Sequence, residues 1–132
     1  MSAATPDTTA RRWIAGAGLL GGVGVTLGAF GAHGLRDRVS PAALEIYKTG
    51  VLYQLIHAVA LLVLAVAATH TEVAGARVAR VCFLLGTIVF SGSLYALALS
   101  GRGWWGAVTP AGGLLFLIGW AALVVGGARR RS

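Results

Sequence analysis

The sequence predicts an all-α membrane protein, with four transmembrane helices in an antiparallel bundle. Three observations carry that expectation. The 132-residue chain is 57% hydrophobic and only 11% charged, a balance outside that of soluble domains. Four windows contain no Asp, Glu, Lys or Arg: Trp13 to Leu35, Thr49 to Thr71, Val81 to Gly101 and Gly103 to Ala128. Each has the roughly 20 residues needed to cross a hydrocarbon core of about 30 Å. The basic residues, finally, gather at the ends of these windows. With four spans, Arg11, Arg12, Arg77, Arg80, Arg129, Arg130 and Arg131 share one side, and Arg36, Arg38, Lys48 and Arg102 the other. Seven against four places both termini in the cytoplasm, here of a bacterial inner membrane.

The elements follow in order. Residues 1–10, with Pro6 and several Thr and Ala, read as a flexible tail. The first helix is expected over about 13–33. Its many glycines would unravel a helix in water, but in lipid small residues let backbones approach closely. Gly18 with Gly22, and Gly24 with Gly28, have the small-x-x-x-small spacing and are the expected packing positions. An N-terminal apolar run behind Arg11-Arg12 could also suggest a signal sequence, yet its length and the three further spans favour a retained helix. Ser40-Pro41 is good chemistry for a helix start, a hydroxyl acceptor followed by proline at the first helical position. The second helix, about 41–69, is then too long for the bilayer, and its first turns form an amphipathic extension at the interface. The third covers about 79–100. The fourth, about 108–128, begins with Thr109-Pro110, and Trp104 and Trp105 suit the aromatic belt before it.

The net charge of +7 does not point to nucleic acid, because the cations are scattered at span ends and form no aromatic-rich basic surface. One cysteine, Cys82, allows no intramolecular disulfide and no Cys-pair metal site. Polar residues inside the spans are the more informative feature. Tyr47, Gly50, Gln54 and His57 recur at helical spacing and form one stripe, and Thr87, Ser91 and Tyr95 form another. Polar groups avoid lipid, so both stripes should face into the bundle. With His33 and Thr109, they are expected to converge in the outer leaflet as a cluster of His33, Gln54, His57, Ser91, Tyr95 and Thr109.

Such a cluster has two uses: as interhelical hydrogen bonds, or as the wall of a pocket for a small ligand, lipid or quinone. Haem or metal ligation through His33 and His57 is a further alternative, but no carboxylate or thiolate accompanies them, and no cofactor is predicted. Proton or ion transport would require an oligomer, since one small bundle leaves little room for alternating access. Serine hydrolysis lacks a buried acid beside His57 and a nucleophile elbow around Ser91 or Ser93. The favoured role is non-catalytic organisation of a membrane complex. The bilayer is one partner, and a membrane protein or a second copy of the chain the other.

Four blocks, "GAFGAHGL" (28–35), "YKTGVLYQLIHAVALL" (47–62), "FSGSLYALAL" (90–99) and "TPAGGLLFLIGW" (109–120), resemble in order the signature segments of the YgdD-like family. This group of small integral membrane proteins is domain-of-unknown-function family 423 and includes transmembrane protein 256. The resemblance implies four membrane helices and no established biochemical role. It carries over to His33 with Gly31 and Gly34, to Tyr53, Gln54 and His57, to 91–95 and to 109–113, and it brings no ligand.

Overall fold

The computed structural model of the protein describes residues 7–129. Four α-helices follow one another: α1 (Thr8–His33), α2 (Pro41–Ala67), α3 (Ala76–Ser100) and α4 (Trp105–Ala128). All four are long and apolar enough to cross a membrane, so the chain is a four-helix membrane protein.

Local chemistry explains the ends. Asp7 caps α1 by accepting the Thr9 N–H at 3.1 Å, so the helix begins inside the stretch expected to be a tail. Residues 1–6 of that tail, like Arg130 and Arg131, lie outside the described residues. Ser40 caps α2 through the Ala43 N–H at 3.1 Å, with Pro41 at the first helical position, and Gly50 leaves the helix continuous. Gly75, at φ +82°, lets α3 start at Ala76, before the expected 79. α4 likewise starts at Trp105 and carries Pro110 inside it. Proline therefore does not open this helix. It sits one turn in, where it withholds the N–H that the Gly106 carbonyl would accept.

The helices form an open row. α1 packs on α2, α2 on α3 and α3 on α4, while no other pair of backbones approaches closely among the described residues. Small residues set the first contact. On α1 the stripe Ala17, Gly21, Gly24, Gly28 and Gly31 faces α2, where a carbon added at the last four positions would meet Ala58, Leu55, Val51 and Tyr47 respectively. Gly24 and Gly28 thus lie in the contact. Gly18 and Gly22 do not: nothing stands within 4 Å of an added carbon there. Their four-residue spacing was equally suitable, but they project from a face of α1 turned away from α2.

The α3/α4 contact is the most extensive. Gly112 and Gly119 on α4 receive Phe90 and Phe83 of α3, and Gly86 of α3 receives Phe116 in return. Seven residues separate each pair of partners on their own helix, two turns, so the rings fall on one seam.

Gly31 and Gly22 offer an internal comparison. A methyl at Gly31 would lie 2.6 Å from the Tyr47 ring, which is almost wholly buried and held by a hydrogen bond to Leu27. Gly31→Ala should cost about 1–2 kcal/mol, whereas Gly22→Ala should be neutral or mildly stabilising. Unfolding of both variants in mixed micelles checks this, and equal effects would contradict the register of α1 on α2.

Candidate functional site

Gln54 is the polar centre of the α1–α2–α3 side. Its Nε2 donates to the Leu20 carbonyl of α1 at 2.9 Å, and its Oε1 accepts the Tyr95 hydroxyl of α3 at 2.7 Å. One amide therefore ties three helices. Tyr47, two stripe positions earlier, donates to the Leu27 carbonyl at 2.6 Å and packs on Tyr95 with ring centroids 5.1 Å apart. Ser91 donates to the Gly50 carbonyl at 2.7 Å, and Ser93 shares a 2.7 Å hydrogen bond with Thr109 of α4.

His57 belongs to a separate group facing α4. Its ring stacks on Phe116 at 3.7 Å and 8° and meets the edge of Phe83 at 5.1 Å. The Trp120 indole N–H donates to its Nε2 at 3.1 Å, and its Nδ1 lies 2.8 Å from the Tyr53 carbonyl. A carbonyl only accepts, so Nδ1 carries the proton and Nε2 offers its lone pair to Trp120. Both nitrogens are thereby engaged.

The expected single cluster is thus divided. Gln54, Ser91, Tyr95 and Thr109 lie among interhelical hydrogen bonds, while His57 points to α4. His33 joins neither. It is the last residue of α1 and exposed, because the face of α1 that packs on α2 passes through Gly31 and the chain then turns to bury Leu35 instead. Gly31 sits against Tyr47, and His57 is ten residues further along α2, about 15 Å at 1.5 Å per residue. The two imidazoles therefore do not face a common ion or haem iron.

Four further residues matter. Thr87 is buried, and its hydroxyl has no hydrogen-bond partner among the described residues. It lines a groove of about 470 Å³ between α1 and α3, walled by Leu19, Leu20, Val23 and Ile88 and reaching Gln54 and Tyr95. Tyr53 packs at a tilt against Phe90, centroids 4.5 Å apart, and lines a second groove, about 560 Å³, beside Pro110, Phe116 and Trp120. Trp120 was not legible as a site residue from polar periodicity, although an indole far from the Trp104-Trp105 turn needs an acceptor. Arg80, counted from sequence among the cations at the span ends, is buried in α3.

The order of these groups along the chain is also that of a known family. A model of the family described as "Protein of unknown function (DUF423)" matches residues 27–113. The chain belongs to the DUF423 family. The UPF0382 inner membrane protein YgdD of Escherichia coli K12 is 43% identical to it over 121 residues, which cover 92% of each chain. A UPF0382 membrane protein of Haemophilus influenzae is 43% identical over 82% of this chain and 86% of its own length, and one of Staphylococcus epidermidis is 43% identical over 76% and 82%. No solved structure matches the chain. The DUF423 match runs from the Leu27 carbonyl that Tyr47 binds to Gly113 on α4, and so contains Gln54, His57, Ser91, Tyr95 and Thr109. It stops short of Phe116 and Trp120, the α4 partners of His57.

Proposed function

We propose that this protein is a non-catalytic, multi-pass component of the bacterial inner membrane that organises a membrane complex, with both termini in the cytoplasm. The observation that carries the reading is the saturation of Gln54 and His57. Gln54 uses both ends of its amide and His57 both ring nitrogens in bonds between helices or within α2. That leaves the bundle no free base or nucleophile at those positions and makes its outer apolar faces the working surface. The names of the Escherichia coli relatives and the excess of arginine on the terminal side support the location and the orientation.

A second reading, a groove that binds a small ligand such as a quinone, is favoured by Thr87. Its orphan hydroxyl lines the α1–α3 groove, and a buried polar group without a partner is costly unless something supplies one. Native mass spectrometry of protein gently extracted from its own membrane tests both. A second polypeptide or a second copy retained in stoichiometric amount is the expected result. A monomer carrying a small molecule that Thr87→Val loses would replace organisation by ligand binding.

A further inference from the structure

At the terminal end of the bundle, a hollow of about 290 Å³ is bounded by the start of α1, the loop after α2 and the start of α3, with Asp7, Trp13, Glu72, Arg77 and Arg80 in its wall. Arg80 is the unusual group. Its guanidinium is 5% exposed and lies over the Trp13 ring, 5.7 Å from the centroid. Glu72 opposes its charge: Nη2 donates to Oε2 at 3.4 Å, and Nη1 lies 3.0 Å from Oε1 at an angle too poor for a hydrogen bond. Its Nε has no hydrogen-bond partner among the described residues.

The remaining charges do not balance. Asp7 caps α1 and Glu72 is committed to Arg80, whereas Arg12 and Arg77 are exposed and have no ion-pair partner among the described residues. The start of α3 adds to the positive field, because Gly75 offers no side chain to cap its first N–H groups and a helix N-terminus favours an anion.

This cationic end opens into an apolar channel. Thr9 and Trp13 are shared between the hollow and a second one that reaches Arg12, Gly16, Leu61 and Leu84. Gly16 and Leu84 in turn are shared with the groove between α1 and α3. From Trp13 to Val23, α1 advances about 15 Å, the depth of one leaflet of a core about 30 Å thick. A hollow with two arginines and two carboxylates in its wall and the further cation of Arg12 beside it, continued by an apolar groove one leaflet deep, has the shape and the excess positive charge of an anionic-lipid site.

We propose that this site binds one anionic phospholipid, its phosphate at the rim formed by Arg12, Arg77 and the start of α3, and one acyl chain lying in the groove between α1 and α3. Arg80 lies beneath the phosphate as a buried positive charge only partly offset by Glu72. The assignment is independent of any partner protein and of the orientation of the chain.

The test is native mass spectrometry of the full chain in neutral detergent, titrated with phosphatidylglycerol or with phosphatidylcholine of the same acyl chains. One phosphatidylglycerol should be retained in preference to phosphatidylcholine. Arg77→Gln and Arg12→Gln should each lower its occupancy constant about fivefold, while Arg36→Gln, which removes the same charge at the opposite end, should leave it unchanged. Leu84→Trp, which fills the groove, should weaken phosphatidylglycerol binding, and inorganic phosphate should not displace the lipid. Equal retention of phosphatidylcholine, or equal losses in Arg36→Gln and Arg77→Gln, would overturn the site. Displacement by inorganic phosphate with no effect of Leu84→Trp would also overturn it, by showing a site for a free anion instead of a lipid.

Discussion

Gly112→Ala should destabilise the protein by about 3 kcal/mol, near the upper end of what overpacking usually costs. The reason is the object that the new methyl would meet. At Gly112 it would run into the backbone nitrogen and Cα of Phe90 as well as its Cβ, and a backbone inside a helix has no rotamer into which to retreat. Relief requires α3 and α4 to separate, which would open the seam along which Phe83, Phe90 and Phe116 seat against glycines. Gly119→Ala makes the useful comparison. There the first obstacle is the Phe83 ring at 2.6 Å, a side chain that can turn, so a smaller loss is expected. Both can be read from unfolding midpoints in mixed micelles. A Gly112→Ala protein as stable as the parent would mean that the two backbones are further apart than this structure has them.

His57→Ala should cost about 3 kcal/mol, for two separable reasons. It removes a ring that stacks on Phe116 and touches Phe83, leaving a cavity of the kind that makes large-to-small core changes expensive. It also leaves the Trp120 N–H without its acceptor, and hydrogen bonds between membrane helices are worth on the order of 1 kcal/mol. His57→Phe separates the two contributions: the stack on Phe116 is retained and the acceptor lost, so a cost of only about 1 kcal/mol is expected. Unfolding of the two variants, with tryptophan emission as a reporter of the Trp120 environment, provides the measurement. If both variants lose the same amount, the stack contributes nothing and the hydrogen bond carries the whole effect.

The spans were legible in the sequence because absence of charge over some 20 residues is a strong physical requirement, and Ser40-Pro41 marked a real helix start because capping is local. The ends of α3 and α4 were less so. Gly75 and the Gly103-Trp104 turn start those helices upstream of their first strong apolar stretch, and Pro110 imitates a start it does not make. The stripes of α2 and α3 were legible since period alone brings Tyr47, Gln54 and His57 to the buried side, as it does Thr87 and Ser91. Which neighbour each residue meets was not. Gln54 and His57 lie three positions apart, yet one faces α1 and α3 while the other faces α4. Nor does spacing distinguish Gly18 and Gly22 from Gly24 and Gly28, because the choice between two small faces belongs to the partner helix. Arg80 reads as a cation at the end of a span until Trp13 and Glu72 are brought around it.

The open row has a mechanical side. α1 has one backbone neighbour, to which it is fastened by two side-chain bonds, Tyr47 to Leu27 and Gln54 to Leu20. α4 is instead interdigitated with α3 along much of its length. Compliance is therefore concentrated at one edge of the molecule. Thinning, stretching or crowding of the bilayer should act first on the tilt of the first helix, with the contact of the last two helices the last to yield.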